Sequence, residues 1–185
     1  MSSGPKLPRA QAMSVARAVL ATLRHACERI EIAGSLRRGV PEVSDVELVC
    51  VPIVQADLFG APTGQCRLTR AVADGLSFGR WSWRTETHPP PKSLAAPRRY
   101  WPLVVDGVPL DLFAVRAPAQ YGAILAIRTG PAAFSQRLVT DCQRYGLRCT
   151  EGRLVAEDGT TRETPTERDF LAACGSPWVE PSERR

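Results

Sequence analysis

The sequence lacks a long apolar segment. A membrane-spanning helix needs about 18 or more consecutive apolar residues, and no stretch of the 185 residues approaches that length. The first residues also lack the basic stretch followed by an apolar run that marks a secretory signal peptide. We therefore expect a soluble protein with no membrane partner, located in the cytoplasm.

Cysteine and histidine motifs for metal binding are missing as well. The six cysteines include no Cys-x-x-Cys pair, and only two histidines are present, so a zinc site is not expected. Several cysteines lie in apolar stretches, which also argues against a disulfide framework. No internal repeat or low-complexity linker occurs, and the length suits one or two small domains.

The formal net charge of +5 favours an anionic partner. Aromatic residues are scarce, at 6% of the chain, but several of them lie among basic residues between positions 80 and 101. Strand alternation there predicts core tryptophans at 81 and 83 and leaves two interpretations for the basic side chains. They are either solvated or in contact with nucleic-acid phosphates, and the candidates for DNA contact are Arg80, Arg84, Lys92, Arg98 and Arg99.

Two acidic residues alternate in an apolar strand predicted from Val43 to Val51. Successive side chains of a strand point to opposite faces, so Asp45 and Glu47 share one face. Like charges at this distance raise each other's pKa unless a cation lies between them. Mg²⁺ is a suitable cation, because it takes oxygen ligands and often uses only one or two carboxylates. The alternative is a half-exposed strand with two solvated acids.

A third acidic residue lies in a predicted hairpin. The stretch Val104–Val115 contains two apolar strands around an Asp106-Gly107 turn, and Asp111 interrupts the second strand. A carboxylate in so apolar a strand is costly to bury without a partner. If this strand lies beside the first one, Asp111 joins Asp45 and Glu47 in a cradle of carboxylates that suits two metal ions.

Upstream of the first acidic strand, a short glycine turn carries a hydroxyl and basic residues. Gly34 and Ser35 precede Arg37 and Arg38, so backbone N–H groups, a hydroxyl and a guanidinium can converge where a turn or helix begins. Such a terminus binds anions, and arginine makes bidentate contacts with phosphate. Alone this pattern also fits an ordinary exposed turn; ahead of a two-acid strand it indicates a triphosphate site.

These residues resemble the family X DNA polymerases of the polymerase β type, within the nucleotidyltransferase superfamily. The resemblance continues into a segment with a Thr-Gly turn before a helix, and into a proline-aromatic tail. It covers nearly the whole chain, with a looser match from about Pro52 to Tyr100. The matching positions are Gly34, Ser35, Arg38, Asp45, Glu47 and Asp111, followed by the segments Tyr121–Phe134, Glu163–Phe170 and Gly175–Pro181.

The resemblance implies an α+β fold. A nucleotidyltransferase palm, with a mixed sheet and helices on one face, would comprise residues 1–115, and a small α+β nucleotide-binding subdomain would comprise residues 116–185. The chain is similar to the minimal polymerases of some viruses, without the amino-terminal DNA-gripping region of cellular relatives. We expect a monomer from a bacterial or phage-infected cytoplasm.

The resemblance also implies roles. Asp45 and Glu47 would bind two Mg²⁺ ions, or Mn²⁺ in their place, and Asp111 would bind the catalytic one. The substrates would be a dNTP and a primer-template or gapped DNA, in DNA repair or phage DNA metabolism. The residues expected to bind the nucleotide are Gly34, Ser35, Arg38, Ser44, Thr129, Gly130, Phe134, Ser135 and Arg137.

Some positions depart from the family pattern. Glu47 stands where polymerase β-like enzymes have Asp, and Ile127-Arg128 replaces an aromatic pair that discriminates against ribose. The sequence therefore leaves open a nucleotidyltransferase that acts on a small molecule, a protein or an RNA end. A third interpretation, a non-catalytic nucleic-acid-binding protein, is disfavoured because all three acids are present.

Overall fold

The computed structural model describes residues 5–56, 62–85, 94 and 98–185. These residues form six α-helices and several small sheets, so the fold is α+β. In chain order the elements are β1 (Leu7–Pro8), α1 (Arg9–Leu23), β2 (Cys27–Ile32), α2 (Gly34–Arg37), β3 (Glu42–Val43), β4 (Val46–Pro52), β5 (Val54–Ala56), β6 (Pro62–Cys66), α3 (Arg67–Ser77), β7 (Trp81–Trp83), β8 (Tyr100–Val105), β9 (Val108–Ala114), α4 (Tyr121–Thr129), α5 (Ala132–Asp141), β10 (Leu147–Thr150), β11 (Arg153–Ala156), β12 (Thr161–Arg162) and α6 (Glu167–Ala173).

The chain separates into two compact units. The first comprises Met1–Ile32 and Pro41–Ala114, and the second comprises Ala33–Val40 and Val115–Arg185. The short segment that contains α2 therefore belongs to the same unit as the C-terminal part of the chain. The strands on either side of that segment, β2 and β3, belong to the first unit.

The first unit is built on a five-stranded mixed sheet with the order β2-β4-β9-β8-β7. Strands β4 and β9 are parallel, and the other neighbouring pairs are antiparallel. A parallel pair needs a long crossover, and here the chain from β5 to β8 provides it. Helix α1 packs on β2 and β4, while α3 contacts β7. Two smaller pairs, β1 with β3 and β5 with β6, complete this unit.

The periodicity of the sequence explains these elements. In α1 the residues that recur every three or four positions, including Val15, Val19 and Leu23, are buried. In β9 Leu110 and Leu112 are fully buried, and each such side chain contributes about 1.5–3 kcal/mol. Asp111 alternates with them and is therefore on the opposite face of the sheet.

The hairpin between β8 and β9 turns at Asp106 and Gly107. Both have positive φ, 50° and 75°, as a two-residue type I′ turn requires. Asp tolerates this conformation and Gly adopts it without steric cost, so the turn sets the register in which Val105 faces Val108. That register in turn sets the place of Asp111 along β9.

The second unit has its own core. Helices α4, α5 and α6 enclose it with the antiparallel sheet β10-β11-β12. Helix α6 begins with a capping box, in which Thr166 and Asp169 each accept a hydrogen bond from the other's backbone N–H. The core of this unit includes Phe134, Leu138, Leu154, Phe170 and Leu171.

Candidate functional site

A row of polar side chains crosses the sheet of the first unit. Strand β4 lies beside β9, as the sequence argument required, and the register pairs Glu47 with Asp111. On the other side of β9, Asp111 faces Pro102. Arg84 follows β7 and donates its backbone N–H to the carbonyl of Pro102 at 3.0 Å. Because laterally paired residues point to the same face, Arg84, Asp111 and Glu47 share one face of the sheet.

Asp45 does not lie within the strand that the sequence predicts. The predicted strand Val43–Val51 is interrupted, since β3 ends at Val43 and β4 begins at Val46. The chain changes pairing partners at this point, because β3 pairs with β1 whereas β4 pairs with β2 and β9. Asp45 and the half-buried Ser44 form the link between the two strands.

The surroundings of Asp45 disfavour its charged form. Burial is the largest cause, and the negative charge of Asp111 adds to it, so the pKa of Asp45 is raised. The positive charge of Arg84 opposes this rise. No hydrogen bond to the carboxylate of Asp45 is present among the described residues. A cation beside Asp45 and Asp111 would offset the negative charges through which the two carboxylates repel each other.

Asp111 is held by two donors that the sequence analysis did not connect with it. Arg84 Nη2 and the Tyr100 hydroxyl both donate to the same atom, Asp111 Oδ1, the second at 2.9 Å. Arg84 Nη2 also donates to the Tyr100 oxygen at 2.8 Å. Burial and the hydrogen bond to Asp111 raise the pKa of Tyr100 to about 12, so the phenol stays protonated and remains a donor.

The donor chemistry of this face fits a hard divalent cation. Carboxylate oxygens are the ligands that Mg²⁺ prefers, and one or two protein carboxylates commonly suffice when phosphates and water supply the rest. Glu47 and Asp111 are direct neighbours across the strand pair. Within the part of the chain that is described, no three His, Cys, Asp or Glu side chains stand close enough to share one ion. The arrangement thus offers a pair of carboxylates, with Asp45 next to it.

The second unit contains the other group of candidate residues. The turn Gly34–Arg38 meets Thr129, because Arg38 Nη1 donates to the Thr129 carbonyl at 2.6 Å and Arg37 Nη1 donates to Thr129 Oγ1 at 2.8 Å. Thr129 is fully buried, while Ser35 and Arg38 are half-buried. The candidate phosphate turn and the Thr-Gly segment are therefore neighbours in space although they are far apart in sequence.

Arg37 also belongs to a buried ion network that the sequence analysis missed. Its Nη2 contacts Glu167 Oε2 at 2.6 Å, and Arg184 Nη1 contacts Glu167 Oε1 at 2.8 Å. The side chain of Arg184 is fully buried and that of Glu167 is 4% exposed. No local sequence pattern predicts these pairings, because Arg37 and Glu167 are 130 positions apart in the chain. The network fixes the turn that carries Ser35 and Arg38.

The remaining nucleotide candidates are engaged within the second unit. Phe134 is 5% exposed and belongs to the core, and Ser135 donates its hydroxyl to the Ile127 carbonyl at 2.7 Å. Arg137 Nη2 donates to the Arg185 carbonyl at 2.6 Å. Gly130 follows α4, and its N–H donates to the Ala126 carbonyl. In this arrangement the three side chains stabilise the unit itself.

The basic candidates for DNA contact have different surroundings. Arg84 contacts Asp111, and Arg98 lies over the rings of Trp83 and Trp101 at 5.6 and 5.7 Å. Arg80 and Arg99 are exposed. Lys92 lies outside the described residues. Exposure to solvent therefore favours Arg80 and Arg99 for contact with a phosphate, and Arg80 lies over the Phe78 ring at 5.7 Å.

Comparison with known proteins adds no family assignment. No protein-family model matches the chain, and no curated protein matches it either. Among the described residues, no helix combines the length and the apolar character needed to cross a bilayer. Function is therefore inferred from the site itself.

Proposed function

We propose that this chain is a metal-dependent nucleotidyltransferase of the family X DNA polymerase type, with the polymerase β-like palm in the first unit. The observation that carries the proposal is the parallel pairing of β4 with β9, which puts Glu47 beside Asp111; the negative charge of Asp111 also acts on the nearby Asp45. The contact between Arg38 and the Thr129 carbonyl supports it, because it joins the candidate phosphate turn to the candidate nucleotide segment.

The proposed reaction transfers a nucleotide from a dNTP to a primer 3′-hydroxyl. The hydroxyl oxygen forms a bond to the α-phosphorus, the bond from that phosphorus to the pyrophosphate oxygen breaks, and the hydroxyl proton passes to Asp111 or to a water. Two Mg²⁺ ions, or Mn²⁺, held by Asp45, Glu47 and Asp111 would neutralise phosphate charge. Most of the rate acceleration in such a transfer comes from positioning and electrostatics.

The polar residues of the second unit would bind the triphosphate. Ser35 can donate its hydroxyl and Arg38 its guanidinium to phosphate oxygens. The ion network around Glu167 holds the backbone of the turn, which reduces the entropy lost when the nucleotide binds. Thr129 and Gly130 would lie along the sugar and base.

Short gap filling in DNA repair or phage DNA metabolism is the biological setting that we propose, with the protein acting as a monomer in the cytoplasm. A small basic enzyme suits a gapped DNA, because the phosphates on both sides of the gap supply electrostatic attraction. The exposed side chains of Arg80 and Arg99 can take part in this attraction.

Glu47 favours a second candidate function. Some nucleotidyltransferases other than polymerases use an Asp-x-Glu pair, and Asp45 and Glu47 form such a pair. The longer glutamate side chain still ligates a divalent ion. The two functions differ in the acceptor, so the requirement for a template separates them.

The test is primer extension on a duplex with a one-nucleotide gap, with each dNTP supplied separately and with Mg²⁺ or Mn²⁺. Asp111→Asn should abolish incorporation. Asp106→Asn, the same chemical change at the exposed turn of the same hairpin, should leave incorporation unchanged. Templated addition with this pattern supports the polymerase, and untemplated addition indicates a terminal transferase. No addition by the folded protein with either metal would refute the polymerase function and favour the second candidate.

A further inference from the structure

The two carboxylate oxygens of Asp111 differ in their hydrogen-bond partners. Oδ1 accepts hydrogen bonds from Arg84 Nη2 and from the Tyr100 hydroxyl. Among the described residues, no donor contacts Oδ2. Two donors on one oxygen fix the rotation of a carboxylate about its terminal bond, a torsion that is otherwise broad. The other oxygen then points in a defined direction.

Residues far apart in the sequence make this arrangement possible. Arg84 follows β7 and Asp111 lies on β9, with β8 between them, so their backbones are about 9–10 Å apart. The residue between them is the buried Pro102, whose short ring leaves room for the arginine to extend across β8. A long side chain at position 102 would occupy that path.

The Tyr100 ring is oriented by a second contact. Tyr100 pairs with Phe113 across β8 and β9, and the two rings stack with their centroids 5.2 Å apart. Phe113 is two residues from Asp111 on the same face of β9, so the stacked phenol directs its hydroxyl toward the carboxylate. The side chains of Arg84 and Asp111 are only 18% and 14% exposed, and water therefore competes weakly for these hydrogen bonds.

We propose that Arg84 and Tyr100 are positioning residues for Asp111, which hold Oδ1 and present Oδ2 to the divalent ion. The inference rests on the proposed function, since it assigns these two residues to the same metal site. It gives Arg84 a role other than the DNA contact that its sequence context suggests. Partners that orient a metal-binding side chain typically change metal affinity about 10–100-fold when they are removed.

The experiment measures Mn²⁺ binding directly, by electron paramagnetic resonance of the free ion, without nucleotide or DNA. Tyr100→Phe keeps the ring that stacks on Phe113 and removes only the hydroxyl. We expect it to raise the Mn²⁺ dissociation constant about 10-fold. Arg84→Met should have a similar effect, and Arg84→Lys, which keeps the charge and a donor group, should recover part of the affinity.

Matched controls are the same changes at exposed positions, Tyr145→Phe and Arg144→Met. Neither should alter the Mn²⁺ dissociation constant. In a pyrophosphate-release assay, Tyr100→Phe should raise the metal concentration needed for half-maximal rate and leave the rate at saturating metal within about threefold. A purely structural contact would lower stability without this shift. If Arg84→Met does not fold, Tyr100→Phe decides alone, and an Mn²⁺ affinity within about twofold of wild type in that variant would overturn the inference.

Two results would overturn the inference. One is an Mn²⁺ affinity within about twofold of wild type in both Tyr100→Phe and Arg84→Met. The other is tighter Mn²⁺ binding in Arg84→Met with Tyr100→Phe unchanged, which would make Arg84 a competing counter-ion. The expected Mn²⁺ pattern without any pyrophosphate release would support the inference and refute the proposed function, so the two failures are distinguishable. A wild-type protein that binds no Mn²⁺ without nucleotide would overturn the inference, and primer extension would still decide the proposed function, because the nucleotide phosphates supply further ligands to the ion.

Discussion

Replacing Glu167 with alanine should destabilise the second unit strongly. Among the described residues, the carboxylate of Glu167 contacts both Arg37 and Arg184, at 2.6 and 2.8 Å. The substitution would leave the fully buried guanidinium of Arg184 with no carboxylate among the described residues. Removing one member of a buried ion pair typically costs about 3–5 kcal/mol, which is a large part of the roughly 5–15 kcal/mol that stabilises a domain.

Glu167→Gln separates charge from shape in this network. The amide keeps one acceptor oxygen and nearly the same volume, so one of the two arginines retains a neutral hydrogen bond. We expect a loss of about 1.5–3 kcal/mol, the usual contribution of a hydrogen bond to a charged group. The order of stability should be wild type, then Glu167→Gln, then Glu167→Ala.

The assay is urea denaturation followed by circular dichroism, with Arg144→Ala as the control. Arg144 forms an ion pair with Asp141 at 3.1 Å, but its side chain is 77% exposed, and such pairs contribute about 0–1 kcal/mol. If Glu167→Ala lost no more stability than Arg144→Ala, the buried network would not stabilise this unit and the reasoning would be wrong.

Three further predictions concern packing, capping and charge. Gly122→Ala should cost about 1–3 kcal/mol in urea denaturation, because its Cβ would overlap the backbone carbonyl of Thr166; an unchanged midpoint would contradict the packing of α4. Thr166→Ala should cost about 1 kcal/mol in the same assay, since it removes the hydroxyl that accepts the Asp169 N–H; no loss would contradict the capping box. Burial and Asp111 raise the pKa of Asp45 above 3.8, so the folded state binds that proton more tightly and stability falls as the pH rises through this range. Asp45→Asn should therefore be more stable than wild type at neutral pH without metal, and the difference should disappear at a pH well below 3.8. Equal stability of the two proteins at both pH values would contradict the raised pKa of Asp45.

Local patterns in the sequence predict several elements of both units. Apolar residues at helical spacing predict α1, and the Asp-Gly dipeptide between apolar runs predicts the hairpin of β8 and β9. The capping-box pattern at Thr166 and Asp169 likewise predicts the start of α6. These predictions succeed because periodicity and turn chemistry act over a few residues.

The prediction of one strand from Val43 to Val51 is wrong at Ser44 and Asp45. Both β3 and β4 have strand-like composition, but their partners differ, and the partners are chosen by residues elsewhere in the chain. A local pattern cannot show where a chain leaves one partner and joins another. The contact between Glu47 and Asp111 likewise depends on the strand order of the whole sheet.

The sequence by itself determined which chemical groups are present: three carboxylates in apolar surroundings, a glycine turn with arginines, and a Thr-Gly segment. Only the tertiary structure decided which arginine pairs with which carboxylate. Arg84 contacts Asp111, and Arg37 and Arg184 contact Glu167, although nothing in the sequence near these arginines identifies these partners. The physical reason is that a long, flexible cationic side chain binds the acceptors that folding brings near it, and a low-dielectric environment strengthens that interaction. Both the acceptors and the low-dielectric environment come from residues distant in the sequence.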